Sequence, residues 1–215
     1  MMEMFQSALR LCLFLIVALI GPISAAAAAQ QADAAAAKPA FQGDVFILKG
    51  GYSVFSTGLN QLGAQLKQNG VAASVVSYQS WRSVAQTIID HRQRYGRKPV
   101  VLIGHSLGGN NAILIANTLK KKGIQVDLIV SYASTAEMSV PSNVRNVLNF
   151  YFKSGGWGGI YKGESDFNGA LTNLDMSTQP GMTHFNIDDN QALRDQVVRN
   201  VLRYVRPGKS AMAAP

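Results

Sequence analysis

A serine flanked by glycines offers the clearest chemistry in this sequence. Gly104, Ser106 and Gly108 form the pattern G-x-S-x-G. The apolar residues 100–103 lead directly into it and predict a buried strand, whereas the residues from Leu107 onwards predict a helix. A strand, a tight turn and a helix in this order expose a serine hydroxyl on a strained turn, and the glycines let neighbouring backbone approach closely. The pattern therefore predicts a serine nucleophile.

A serine nucleophile needs a general base, and the sequence contains three histidines. His105 stands beside Ser106 inside the motif, so its side chain points away from that serine and it is a poor base. His91 lies in a predicted helix beside arginines and is interpreted as a solvated surface residue. His184 lies in a loop just before the last predicted helix. Two roles stay open for it: the general base, or a histidine that only caps or packs.

The segment Gly104–Gly109 (GHSLGG) resembles the nucleophile elbow of the α/β-hydrolase superfamily, above all its lipase, esterase and thioesterase branches. In that superfamily the order is nucleophile, acid, histidine, with the histidine after the last strand, and His184 fits that place as the base. The resemblance also implies that Leu107, the residue after the nucleophile, donates its backbone N–H to the oxyanion. A second donor comes from the loop after an earlier strand, where Gly51 or Tyr52 fits. The resemblance implies neither a cofactor nor a metal.

Three carboxylates compete for the place of the acid. The superfamily usually places it soon after the penultimate strand, but residues 153–158 contain no acid. Asp175 ends a predicted strand at the sheet edge where the nucleophile and the histidine should meet, so it is the first choice. Asp166, in a glycine-rich loop, is second and Glu137 is third. A loop-capping role for Asp175 stays open, because aspartate often bonds local backbone.

Short apolar strands alternate with helices along the chain. Strands are predicted at 44–48, 71–78, 99–103, 126–132, 144–152 and 170–176, and helices at 56–68, 80–95, 107–119 and 188–204. This alternation implies right-handed crossovers and a doubly wound, mostly parallel sheet with helices on both faces, in three layers. The expected α/β fold is thus a minimal α/β-hydrolase domain with little room for a large lid.

The composition and the two ends of the chain limit the class of protein and its location. The chain has 215 residues, of which 47% are hydrophobic and 15% are charged, with one cysteine, so a disordered chain and a disulfide scaffold are excluded. Residues 1–29 are interpreted as a secretory signal, because small residues follow the apolar run 11–20; an uncleaved anchor is the alternative. Residues 30–42 are expected to be a flexible Ala-rich leader, 43–206 the hydrolase domain and 207–215 a flexible tail. We therefore expect an exported protein, periplasmic or secreted.

The net charge of +8 favours anionic partners. The sequence has no basic stripe with interleaved aromatic residues, so a nucleic-acid partner is not expected. The basic residues are scattered over helix ends and tails, and weak association with an anionic envelope surface is the expectation. Those of the last helix and its end are interpreted first as a solvated face: Arg194, Arg199, Arg203 and Arg206.

The resemblance implies a serine hydrolase of the esterase, lipase or thioesterase type. It would cleave a small-molecule acyl ester or thioester through an acyl-enzyme on Ser106. The alternative is a catalytically inactive, hydrolase-like binding protein of the cell envelope. The missing acid after the penultimate strand motivates that alternative.

Overall fold

The computed structural model describes residues 42–51, 57–154 and 158–205, all within the unit Ala40–Pro215. The predicted signal, most of the leader, the tail and Tyr52 lie outside the described residues. The described strands are β1 Asp44–Lys49, β2 Ser74–Ser77, β3 Val100–His105, β4 Leu128–Tyr132, β5 Met138–Val140, β6 Asn146–Tyr151, β7 Tyr161–Gly163 and β8 Ala170–Asp175. The helices are α1 Thr57–Gln68, α2 Trp81–Tyr95, α3 Leu107–Lys120 and α4 Gln191–Leu202, with 3-10 turns at Tyr78–Ser80 and Ile187–Asp189. Within these residues no helix has both the length and the apolar character needed to cross a bilayer.

Six strands form one sheet in the order β2-β1-β3-β4-β6-β8. Every neighbouring pair is parallel, and the central register places Ile103 opposite Ile47 on one side and Val130 on the other. The short strands β5 and β7 pair with each other in a separate two-stranded sheet, also in parallel. The predicted parallel sheet is confirmed, and its strands β3 and β4 are buried along their whole length, as a sheet covered on both faces requires.

Helices cover both faces of the six-stranded sheet. On one face α1 and α4 pack through Leu62 and Val197 against one apolar cluster of the sheet. On the other face α2 and α3 pack through Ile88 and Ile113 against a second cluster. The predicted three-layer arrangement is therefore confirmed, and it holds the end of β3 and the start of α3 rigidly in the middle of the molecule.

The structure differs from the sequence prediction where elements are short or capped. The strands β5 and β7 have three residues each, too few to show a period, and were not predicted. The last helix begins only at Gln191, because the side chain of Asn190 accepts a hydrogen bond from the N–H of Leu193 and caps it. Arg194 was wrongly placed on a solvated face: it is 5% exposed and donates a hydrogen bond to the carbonyl of Asp188.

Candidate active site

Ser106 sits on the sharp turn between β3 and α3. Its φ is 58° and its ψ is −125°, which is left-handed backbone that a serine adopts only under strain. The turn is held because the N–H of Ser106 donates to the carbonyl of Tyr132 at 2.9 Å. A Cβ on Gly104 would overlap the backbone of Gly108, and one on Gly108 would overlap the carbonyl of Leu48. The glycines thus permit the close backbone contacts that a nucleophile elbow needs.

The structure brings Ser106 and His184 together across 78 residues of sequence. His184 Nε2 lies 3.1 Å from Ser106 Oγ, and the two residues are 6% and 9% exposed. Burial lowers the pKa of His184 to about 4, and the neighbouring His105 ring adds to this shift. The imidazole of His184 is therefore neutral near pH 7, so its Nε2 can accept the serine hydroxyl proton.

His105 holds the backbone of His184. Its Nε2 lies 2.8 Å from the carbonyl oxygen of His184, and the two rings are 5.0 Å apart between centroids. Because a carbonyl only accepts, we assign the hydrogen to Nε2 of His105. The last residue of β3 thus fixes the histidine loop, and the next residue, Ser106, contacts the imidazole. Sequence reasoning considered His105 only as a base and missed this contact, which joins residues 79 positions apart.

The first turn of α1 is bound to the 3-10 turn that follows the histidine. The N–H of Leu59 donates to Asp188 Oδ2 at 3.2 Å, and Thr57 Oγ1 donates to Asp189 Oδ1 at 2.9 Å. A Cβ on Gly58 would overlap the carbonyl of Asp188, so this approach depends on glycine. These contacts fix the loop that carries the histidine from a second side.

Asp175 does not complete a triad with His184. Its Oδ1 accepts hydrogen bonds from the N–H groups of Ser177 at 2.9 Å and Lys153 at 3.2 Å, which lower the pKa of Asp175. Among the described residues no hydrogen bond joins Asp175 to His184. The geometry therefore gives our first choice of acid no support, and Asp175 takes the loop-capping role, because two backbone donors at the end of β8 hold its carboxylate.

The two other candidate acids are also engaged elsewhere. Asp166 Oδ2 binds Lys120 Nζ at 3.1 Å, and Glu137 Oε2 lies 3.3 Å from Lys162 Nζ. Neither carboxylate makes a hydrogen bond to the predicted base within the described part of the chain. The structure therefore does not bring Asp166 or Glu137 to the nucleophile.

A buried carboxylate that the sequence search missed lies behind His105. Asp188 is fully buried; burial raises its pKa, and the adjacent His105 opposes that rise. The order nucleophile, acid, histidine places the acid before His184, whereas Asp188 follows His184 by four residues. The charge of Asp188 interacts with His105, the residue that binds the His184 carbonyl.

The loop after β1 packs against the nucleophile. A Cβ on Gly50 would lie 2.9 Å from the Ser106 Cβ, and one on Gly51 would lie 3.1 Å from the Leu107 side chain. Leu107 is the first residue of α3, where backbone N–H groups have no acceptor within the helix. The loop after β1 thus lies against the nucleophile turn, and the oxyanion role of the Gly51 and Leu107 N–H groups stays a prediction; Tyr52, the other candidate, lies outside the described residues.

His91 lies away from this site, at the start of the sheet. Its Nδ1 is 2.7 Å from Asp44 Oδ1 and its side chain is 33% exposed, so it is a surface residue that is partly buried against an acid. Within the described ranges no group of three or more histidine, cysteine or acidic residues could hold a metal ion. Among the described groups, the one that contacts the Ser106 hydroxyl through a side chain is the imidazole of His184.

Comparison with known proteins agrees with this arrangement. Residues 50–147 match the family model described as Thioesterase domain, whose span runs from the loop after β1 into β6 and includes Ser106. No curated protein matches the chain. The family match supports a hydrolase of the thioesterase or esterase type that acts on a small-molecule ester or thioester. The parallel six-stranded sheet is consistent with an α/β-hydrolase-like fold, and residues 50–147 are similar to the Thioesterase domain family, which is of the α/β-hydrolase type.

Proposed function

We propose that this protein is a serine hydrolase that cleaves a small-molecule thioester or ester through an acyl-enzyme on Ser106. The observation that carries the proposal is the 3.1 Å contact between Ser106 Oγ and His184 Nε2 at the end of a strained elbow. The proposal includes export to the periplasm or the medium, on the evidence of the signal-like residues 1–29. Fractionation and the mass of the mature chain test that part.

In the first half of the reaction Ser106 Oγ attacks the acyl carbonyl carbon. The hydroxyl proton passes to His184 Nε2, and the carbonyl oxygen becomes an oxyanion beside the N–H groups of Leu107 and Gly51. The bond to the leaving sulfur or oxygen then breaks, and the imidazolium returns the proton to it. Each backbone donor aimed at the oxyanion is worth about 3 kcal/mol of barrier.

In the second half water releases the acyl group. His184 takes a proton from the water, whose oxygen attacks the acyl carbon on Ser106. The bond between that carbon and Oγ breaks, Oγ recovers its proton from the imidazolium, and the carboxylic acid leaves. His105 does not touch the reacting atoms; as a positioning residue it holds the carbonyl of His184.

The weak basicity of His184 favours a thioester over an oxygen ester. A buried imidazole whose pKa is about 4 removes the serine proton less readily than an ordinary histidine does. An acyl carbonyl that is already reactive compensates for a weak base, and a thioester carbonyl is more electrophilic than that of an alkyl ester. We expect kcat/KM to be higher for a thioester than for the alkyl ester of the same acid.

A second candidate function is a hydrolase-like binding protein without turnover. One observation favours it: the three carboxylates expected as the acid are engaged elsewhere, Asp175 by backbone donors and the other two by lysines. A serine and histidine that face each other while these three carboxylates are held elsewhere could bind an acyl compound and fail to release a product.

Labelling with a fluorophosphonate, read by intact mass, separates these two functions. The hydrolase predicts one adduct on wild type, none on Ser106→Ala, and hydrolysis of an acyl thioester that Ser106→Ala abolishes. Ser139→Ala is the matched control, because Ser139 is an exposed serine on β5. Full activity in pure Ser106→Ala would overturn the hydrolase proposal, and a wild type that neither reacts nor turns over would favour the binding protein.

A further inference from the structure

The parallel topology places the basic residues at the ends of the helices at one edge of the sheet. Each helix runs back from the edge where the strands end to the edge where they start, so α1, α2, α3 and α4 all finish at the latter. Their last turns each contain basic residues, which complement the negative end of a helix dipole. The basic residues therefore do lie at helix ends, as expected, and the topology places these helix ends at one edge of the sheet.

Six exposed basic side chains at this edge have no ionic partner within the described residues. We call them the basic edge: Lys67, Arg94, Lys98, Lys121, Lys122 and Arg203. Two acids at this edge face other residues: Asp127 lies between Arg97 at 3.5 Å and Arg145 at 3.6 Å, and Asp44 lies 2.7 Å from His91. Lys120 likewise engages Glu164 at 2.8 Å. Within the described part of the chain, acidic side chains therefore leave the positive charge of the basic edge without an ion pair.

The chain enters and leaves the described domain at the basic edge. Gln42 precedes β1 there, and Val205 follows α4 there. The sequence that follows α4 adds two further cations, Arg206 and Lys209. Tyr95, which is 40% exposed, lies at the same edge, and tyrosine side chains favour the headgroup level of a bilayer.

The candidate active site lies at the opposite edge. Ser106 follows the last residue of β3, and a strand of six residues spans about 20 Å. A surface that binds the basic edge would therefore leave the serine facing away from it. We propose that the basic edge binds an anionic lipid membrane surface and holds the nucleophile about 20 Å out from that surface.

A membrane fits these charges better than a nucleic acid does. The cations come from the ends of four separate helices and form a broad edge, whereas groove recognition needs one helix or strand that projects from the fold. Anionic lipid attracts dispersed surface cations without such an element, and each one strengthens binding by about fivefold near the surface. This inference does not depend on what Ser106 does.

Sedimentation of the full chain with lipid vesicles tests the proposal. We expect partitioning onto phosphatidylcholine vesicles that contain phosphatidylglycerol, weaker partitioning onto phosphatidylcholine alone, and a steep fall with added salt. The triple variant Lys98→Gln, Lys121→Gln, Lys122→Gln should reduce partitioning onto anionic vesicles about 100-fold, because each lost cation removes about fivefold. Any contribution of the apolar run 11–20 to vesicle binding is the same for neutral and anionic vesicles, and the same in wild type and the triple variant. The difference between wild type and variant therefore measures the basic edge alone.

A control triple removes the same charge elsewhere on the surface: Arg82→Gln, Lys153→Gln, Lys162→Gln, all exposed. Both triples should keep wild-type hydrolysis of a soluble substrate, if the protein is a hydrolase, and only the basic-edge triple should lose vesicle binding. Equal losses in both triples would mean that net charge alone acts and would overturn the proposal. Equal binding to neutral and anionic vesicles, or salt-sensitive binding to a DNA duplex without vesicle binding, would overturn it as well.

Discussion

Replacing His184 by glutamine tests the central electrostatic feature of the site without any substrate. The substitution removes a titratable group from a buried position and keeps a polar side chain of similar length. Burial lowers the pKa of His184 to about 4 in the folded protein, whereas histidine in an unfolded chain keeps a value near 6.5. Stability and pH must therefore be linked through this one side chain.

The sign and size of the effect follow from these two values. Above pH 7 the imidazole is neutral in both the folded and the unfolded state, so its protonation contributes nothing to the free energy of unfolding. As the pH falls below 6.5, the unfolded chain binds a proton that the folded protein refuses until about pH 4, so the free energy of unfolding decreases. The loss specific to His184 is about 2 kcal/mol at pH 5 and levels off near 3 kcal/mol below pH 4.

Urea denaturation of wild type and His184→Gln at pH 7.5 and pH 5 measures this loss as a double difference. Other groups, including the buried Asp188, titrate in both proteins and cancel. We expect wild type to lose about 2 kcal/mol more than the variant between the two pH values. His184→Asn provides a second variant if glutamine impairs folding. Equal losses in wild type and variants, or a larger loss in the variants, would refute the burial argument.

Three further predictions concern the neighbours of the nucleophile. His105→Leu should lower kcat about 100-fold with little change in KM, because it frees the carbonyl of His184, while His105→Gln should recover most of kcat through a side-chain N–H; steady-state kinetics and the pH profile check both. Gly108→Ala should reduce the free energy of unfolding by about 3 kcal/mol in urea, because its Cβ would overlap the carbonyl of Leu48. Asp175→Asn should keep kcat within about twofold and cost about 1 kcal/mol of stability, because its carboxylate accepts two backbone N–H groups. A 100-fold fall in kcat of Asp175→Asn would instead restore Asp175 as the acid.

Local patterns in the sequence predicted the features that depend on neighbouring residues. The elbow at Ser106 is specified within Gly104–Gly109, because the strand, the turn and the helix follow one another directly. The strands of the main sheet and the four helices are long enough for their apolar patterns to show. The bounds of β3 and α3 accordingly differ from prediction by two residues or fewer.

Contacts between distant residues could not be predicted in the same way. The bond from His105 to the His184 carbonyl depends on how a loop folds back over β3, and no local pattern encodes it. Asp175 does stand at the end of a strand, as expected. Two backbone N–H groups nevertheless donate hydrogen bonds to its carboxylate. Its predicted position at the strand end was therefore right, whereas its predicted role as the acid was not supported. The gathering of cations at one edge likewise appears only once the parallel order of the strands is known.

The contacts between the first turn of α1 and Asp188 and Asp189 have a consequence for motion. The segment that carries Gly51 leads into α1, and the segment that carries His184 leads into the turn at 187–189. Because Leu59 and Thr57 bind that turn, α1 and the turn can move apart only if these two hydrogen bonds break. Amide hydrogens on both sides should therefore exchange as one cooperative unit, and a covalent inhibitor on Ser106 should slow their exchange together.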